Sequence, residues 1–244
     1  MAARDAAGLR PPGHGGVRRV HLGVPGRPRP RARPAGGQPV KLYLSSFRLG
    51  DHPERLVALL PTAARVAVIC NSIDAEDPAL RREKVADELT WLTELGLRPE
   101  ELDLRDAGDL RTRLAPYDGL WIRGGNVFVL RAVMAKSGAD QVLPELIREE
   151  KVVYAGYSAG ACVLAPSLRG LELCDPTDAV EGEIVWDGLG VLDHAFVPHL
   201  DSPGHPETEL VAKVAGLYDR TGVAYVPMRD GQALVVDGDR RELG

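Results

Sequence analysis

A chain of 244 residues, 44% hydrophobic and 27% charged, has room for one large α/β domain or two small ones and the make-up of an ordinary globular protein. No stretch approaches the roughly 18 consecutive apolar residues of a membrane span. The formal net charge of −5 is unevenly spread: residues 1–40 hold eight Arg and one acid, and the remainder holds 22 basic and 34 acidic residues, a balance of −12 that argues against a nucleic-acid footprint on the body.

The first forty residues also contain seven Pro and eight Gly and show no apolar periodicity. Such a segment buries too little surface to offset its chain entropy and reads as a disordered tail. Arg18-Arg19 does not read as an export signal, because no apolar run follows it. A basic tail suits contact with nucleic acid or an acidic partner. A mis-assigned start is the duller reading, with the true chain opening near Val40. Cys70, Cys162 and Cys174 form neither a disulfide framework nor a zinc pattern and read as reduced thiols of a cytoplasmic protein.

From Lys41 to the C-terminus the chain reads as a single domain. A β-rich run at 40–47 gives the first strand. Asp51 is the expected cap of the helix that follows, with Pro53 in its first turn. The continuous apolar run 64–70 suits a strand buried on both faces. Residues 77–96 carry the strongest helix signal: Asp77 as cap, Pro78 at the first position, Gly96 as stop, and Leu80, Val85, Leu89, Leu92 and Leu95 at helical spacing. A third strand is expected within 97–104, then a short helix opened by Asp106. A fourth strand within 117–126 ends in Gly124-Gly125, and two helical stretches cover 127–150. A fifth strand runs into 156–160. Residues 167–195 read as short strands and loops. Strands alternating with helices predict a doubly wound, mostly parallel sheet sandwiched by helices, whose ligands bind at the carboxyl ends of the strands.

Two glycine-rich strand ends stand out by that rule. Gly156-Tyr157-Ser158-Ala159-Gly160 fits the G-x-S-x-G corner, in which a strand turns abruptly into a helix and small neighbours make room for a strained serine. Its hydroxyl then stands above the sheet beside free backbone N–H groups, of which that of Ala159 is the natural oxyanion donor. Arg123-Gly124-Gly125-Asn126 ends the other strand. Gly124 and Gly125 can offer the second donor, while Asn126 is either a substrate-binding residue or a helix cap.

A serine nucleophile needs a base. His14 and His21 fall in the tail, His52 at a solvated helix start and His194 at a strand edge. His199 follows the apolar run Phe196-Val197-Pro198 and is preferred over His205, which precedes a helix with Pro206 in its first turn. The carboxylate that orients the imidazole is sought among Asp193, Asp201 and Asp230. Asp201 is only two residues from His199, whereas Asp230 lies at a turn expected on the rim of the other strand ends. An α/β-hydrolase would order its triad as serine, acid, histidine, and only 86 residues follow Ser158.

The combination "GGN" before a helix, then "GYSAGA", then a strand ending in "PH" with "GHPET" nearby, then "GQALVV", resembles the peptidase E family of serine peptidases, which comprises aspartyl dipeptidases and cyanophycinases. The resemblance covers the chain from about Lys41 onward. It implies a class I glutamine-amidotransferase-like α/β fold and a triad of Ser158, His199 and Asp230, the last standing where peptidase E has a glutamate. Aspartyl dipeptidases place an arginine directly after the "GHxxET" stretch to hold the substrate's aspartate; Glu209 stands there in this chain and would repel it. Arg123 and Arg229 are the substitutes in view. The expected function is therefore hydrolysis of small peptides through an acyl-enzyme, dipeptidase-like, with aspartate specificity left open and no metal or organic cofactor required. A non-catalytic binding module and an amidohydrolase or esterase acting on a non-peptide substrate are the alternatives. The expected partner is a small peptide substrate, with no membrane involved and a homo-oligomer left open.

Overall fold

The computed structural model describes residues 40–244, so the expectations for the basic tail fall outside the described residues. Five parallel strands form the centre of the fold: β1 (Lys41–Ser45), β2 (Arg65–Ile69), β3 (Arg98–Glu101), β4 (Gly119–Ile122) and β5 (Val153–Tyr157). They lie in the order β3-β2-β4-β5-β1. Two antiparallel strands, β8 (Ala233–Asp237) and β9 (Arg240–Leu243), extend the β1 edge to give seven strands. Register pairs Ser45 with Tyr157 and Ile122 with Gly156, so the chain leaves β4, β5 and β1 on one rim, side by side.

Alternation along the central strands divides the core into two layers. Tyr43, Val66, Val68, Trp121, Ala155 and Tyr157 face one side and pack with α1 (Glu54–Leu59) and α2 (Pro78–Glu94). The opposite face packs with α3 (Leu110–Leu114), α4 (Val127–Ser137), α5 (Ala139–Arg148), α6 (Ala159–Cys162) and α7 (Thr208–Thr221). Helices on both faces of a largely parallel sheet make this the doubly wound α/β architecture expected. No helix among the described residues is long and apolar enough to cross a membrane.

Several local expectations are corrected. The first strand and helix of the chain are joined without a side-chain cap: Pro53 holds the cap position of α1, and Asp51 instead donates its N–H to Gly231 O at 2.7 Å. α3 is capped by Asp109, whose carboxylate accepts from Thr112 N–H at 2.7 Å, so Asp106 lies in the loop before it. α7 begins at Thr208, two residues after Pro206. Between α6 and residue 195 there is no strand, only two short 3₁₀ turns and one isolated bridge, Ser167 to Asp187.

α2 has the termini read from the sequence: Asp77 Oδ1 accepts from the N–H groups of Ala79 and Leu80, and Gly96 takes a positive φ of 79° after the last turn. Its inner face differs, however. Val85 and Leu92 are buried, Leu80 is 42% exposed, and the fully buried Glu88 interrupts the apolar stripe.

The strand before Asp230 also departs from expectation. β6 (Ala195–Val197) and β7 (Tyr225–Pro227) form a separate two-stranded parallel sheet rather than joining the main one. Being parallel and in register, they end together. Backbone pairing continues past their ends, Met228 N–H to Val197 O at 3.0 Å and Leu200 N–H to Met228 O at 3.0 Å, so residues 199 and 230 emerge as neighbours.

Candidate active site

The corner after β5 places Ser158 at φ 48° and ψ −115°, a conformation sparsely populated by non-glycine residues and held by what surrounds it. Ser158 N–H donates to Ser45 O at 3.3 Å. The flanking glycines have a specific cause. A Cβ at Gly156 would lie 2.7 Å from Ile122 O, and one at Gly160 would strike the same oxygen. The carbonyl at the end of β4 thus leaves room only for hydrogen on both sides of the serine. Only four residues of helix follow, so the corner relies on free N–H groups more than on a helix dipole. The Ala159 N–H has no acceptor among the described residues.

Gly124 packs directly against the corner; a Cβ there would lie 2.7 Å from the Tyr157 ring and 3.0 Å from Ser158 Cβ. Gly125 takes φ 140° and its N–H donates to nothing among the described residues. Asn126 serves α4 instead of the cleft: its Oδ1 accepts from the N–H groups of Phe128 and Val129, and its Nδ2 donates to Pro176 O at 2.7 Å. The helix-cap reading is therefore the one its geometry matches.

His199 and Asp230 meet at 2.7 Å through Nδ1 and Oδ1. Ser46, at the exit of β1, ties the pair: its hydroxyl donates to Asp230 Oδ1 at 2.8 Å and accepts the His199 N–H at 2.9 Å. The Asp230 N–H donates to Ser202 Oγ at 2.8 Å, and the Thr208 hydroxyl donates to His199 O at 2.9 Å. A positive φ of 59° at His199 is held by this set of bonds. The other acids weighed from the sequence lie elsewhere. Asp193 bonds His194 and is 79% exposed, and Asp201 is exposed.

Burial is the main influence on the His199 imidazole and pushes its pKa below the ordinary histidine value; the neighbouring His205 acts in the same direction, while the bond to Asp230 opposes them. The ring is therefore held neutral and able to accept a proton at neutral pH. His205 is not joined to this chain of bonds. It stacks on His199 with 3.7 Å between ring centres, and its Nδ1 accepts the Glu207 N–H at 3.2 Å. Phe47 closes over both rings edge-on, at 5.9 and 5.4 Å.

Ser158, His199 and His205 line one cleft of about 370 Å³, together with Gly124, Gly125 and Arg48. The Ser158 hydroxyl makes no hydrogen bond among the described residues, so serine and histidine border the same cleft without a bond between them. A larger depression of about 940 Å³, between α4 and the loop before α3, contains none of these groups, and the chemistry therefore points to the smaller cleft. The model of peptidase family S51 matches residues 44–244.

The chain belongs to peptidase family S51.

Relatives agree with that assignment. An uncharacterized peptidase of Listeria monocytogenes is 28% identical over 186 residues, spanning 75% of this chain and 83% of that protein. Peptidase E of Streptomyces coelicolor is 27% identical over 198 residues, spanning 78% of this chain and 75% of that one. Among solved structures, one from Listeria monocytogenes assigned to peptidase E superposes with a TM-score of 0.72 at 25% identity, over 84% of this chain and 98% of that chain. A peptidase from an acI-B1 actinobacterium shares the fold, with a TM-score of 0.63 at 17% identity over 85% of this chain and 88% of that one. This S51 member is a serine-type peptidase.

The cations around this cleft are distributed differently from what the resemblance to aspartyl dipeptidases implies. Glu209 is exposed on the first turn of α7. Arg123 is committed to Glu88 and to Gly124 O, and Arg229 is exposed away from the cleft lining. Sequence reading missed Arg48, whose guanidinium lies over the rings of Phe47 and Trp91 at 5.0 and 4.7 Å and faces no ion-pair partner among the described residues. His199, His205 and Asp230 each have a potential metal-ligand atom within 4.8 Å of the others, but the His199 Nδ1 and the Asp230 carboxylate are already bonded to each other.

Proposed function

We propose that this S51 peptidase cleaves short peptides, in the manner of a dipeptidase, through an acyl-enzyme on Ser158. The observation that carries the reading is the His199–Asp230 contact of 2.7 Å beside a cleft that also holds a strained serine. His199 takes the proton of Ser158 Oγ as the oxygen attacks the substrate carbonyl. Asp230 accepts from Nδ1–H, which fixes the tautomer with Nε2 free to receive that proton and steadies the imidazolium that forms. The N–H groups of Ala159 and of the Gly124–Gly125 segment receive the oxyanion, in the region where negative charge develops. His199 then returns the proton to the leaving amine, and water repeats the two steps to release the acid.

A cleft of about 370 Å³ suits a ligand of a few residues rather than an extended chain. Arg48 supplies the cation that would meet a substrate carboxylate, since Lys84 at the same cleft is bonded to Glu76. Without an arginine at position 209, preference for an aspartyl residue does not follow the family pattern. The three cysteines are unpaired, which suits reaction in the reducing cytoplasm.

The experiment is a panel of dipeptides differing at the first residue, run with the native enzyme and with Ser158→Ala, alongside labelling by a fluorophosphonate. Cleavage and labelling should both vanish in the variant while its circular dichroism is unchanged. Turnover retained by folded Ser158→Ala overturns the reading. Labelling at Ser158 without cleavage of any dipeptide would favour a non-peptide amide or ester as substrate.

A further inference from the structure

Glu88 lies in the middle of α2, wholly buried against the sheet, where a carboxylate is costly unless bonded. Burial pushes its pKa upward, and hydrogen bonds from Tyr157 and Trp121 together with the charges of Arg123 and Arg48 counteract that push. Trp121 Nε1 donates to Oε2 at 2.7 Å, and the Tyr157 hydroxyl donates to Oε1 at 2.6 Å. Arg123 Nε lies 3.1 Å from Oε1, an ion-pair contact whose N–H is not aligned for a hydrogen bond.

Trp121, Tyr157 and Arg123 each belong to a segment that builds the cleft. Tyr157 is the residue before Ser158. Trp121 lies in β4, and Arg123 begins the turn that leads to Gly124. Arg123 also extends beyond Glu88: its Nη1 donates to Gly124 O at 2.6 Å, and the Ser72 hydroxyl lies 2.8 Å from the same oxygen. In a trans peptide the C=O and the following N–H point in opposite directions. Bonds that hold the Gly124 carbonyl toward Ser72 and Arg123 therefore direct the Gly125 N–H the other way. Gly125 lines the cleft, and its N–H is without an acceptor among the described residues.

We propose that Glu88 is a positioning residue of the peptidase site, holding the Gly124–Gly125 peptide as oxyanion donor through Arg123 and holding the serine corner through Tyr157. It touches no substrate; it acts through two side chains that border the reacting atoms. The proposal rests on Ser158 being the nucleophile, and its test separates the two.

The test measures kcat, KM and the affinity of a peptidyl boronate that imitates the tetrahedral intermediate, for the native enzyme, Ser158→Ala, Glu88→Gln, Arg123→Gln, Tyr157→Phe and the Glu88/Arg123 double variant. In folded Glu88→Gln, kcat should fall at least about tenfold with KM within about twofold, and boronate affinity should fall in step with kcat, because a misplaced donor weakens only the transition state. The double variant should be no slower than the slower single, as expected of two residues acting in one line. Native kcat in folded Glu88→Gln, a loss seen only in KM, or losses that multiply in the double variant would each overturn the proposal. If Glu88→Gln does not fold, Tyr157→Phe and Arg123→Gln decide: a fall in kcat in step with boronate affinity supports it, and native kcat in both rejects it. Turnover surviving in Ser158→Ala would instead remove the nucleophile on which both readings depend.

Discussion

His205 lies flat on His199, with 3.7 Å between ring centres and 4° between ring planes. Two imidazolium rings at that distance would repel, so the stack favours a neutral His199, and it also covers the ring from water. Burial is the larger influence and His205 adds to it; together they keep the His199 pKa below its ordinary value of about 6.5 despite Asp230.

The pH dependence follows from that direction. With neutral His199 as the proposed base, kcat/KM should lose activity on the acid side at a pH below about 6.5. His205→Gln removes the stacked ring, and with it an influence that lowers the His199 pKa and part of the cover, so the acid limb should move upward. Because the folded-state pKa lies below the unfolded one, the contribution of His199 to stability is complete above about 6.5 and is lost as the pH falls below it. Profiles of the native enzyme and His205→Gln with one dipeptide substrate check the first point; coincident acid limbs would contradict it.

Asp175 titrates in the opposite sense. Its carboxylate accepts the Val127 N–H at the first turn of α4 at 2.8 Å, yet burial, with a smaller push from Glu207, raises its pKa to about 7. A carboxyl raised in the folded state contributes stability that is full below the unfolded value of about 3.9 and is lost as the pH rises through about 7. Asp175→Asn keeps an acceptor for Val127 and removes the titration. It should be the more stable protein at pH 8 by on the order of 1–3 kcal/mol, with a smaller difference at pH 5. Denaturant midpoints at the two pH values measure this, and an unchanged pH slope would refute it.

Gly160→Ala tests the serine corner. The new methyl group would run into Ile122 O, a backbone atom with no freedom to swing aside. A loss of about 1–3 kcal/mol is expected from such overpacking. Turnover should fall further than stability alone explains, because relief of the clash moves the corner that carries Ser158. Urea unfolding and steady-state rates on the same preparation distinguish the two effects.

Arg48→Ala probes substrate recognition. The guanidinium, stacked between Phe47 and Trp91, has no ion-pair partner among the described residues and lines the cleft. KM should rise about tenfold or more for dipeptides with a free C-terminal carboxylate, the scale of a charge-assisted hydrogen bond, with kcat little changed. C-terminally amidated dipeptides should show little difference between the two enzymes. Equal KM values for both substrate types would assign the carboxylate to another group.

The strands β2, β4 and β5 were legible because strands covered on both faces read as unbroken apolar runs, and the limits of α2 were legible from Asp77, Pro78 and Gly96. Glu88 was not. Amid Arg81, Arg82, Glu83, Lys84 and Asp87 it reads as one more solvated charge, and only the position of Trp121 and Tyr157 across the layer makes it an inward residue. The α2 stripe was misread at Leu80 for the same reason: helical spacing gives a face, while the neighbouring layer decides which residues it covers. Ser46 carried no motif at all. It meets Asp230 across 184 residues of chain because β1 pairs with β8, and Asp230 stands in the turn just before that strand.

The corner at Ser158 was legible from sequence alone, because its signal is local, a strand end with two glycines and a small residue around the serine, although the Ile122 oxygen that makes those glycines necessary arrives only with the fold. The order of strands and helices had the same local origin. Which acid supports His199, what covers its imidazole and which buried carboxylate braces the glycines opposite were decided only in the folded chain. Those relationships are hydrogen bonds and stacking contacts between residues far apart in sequence, and such pairs leave no periodicity or composition by which to be read in advance.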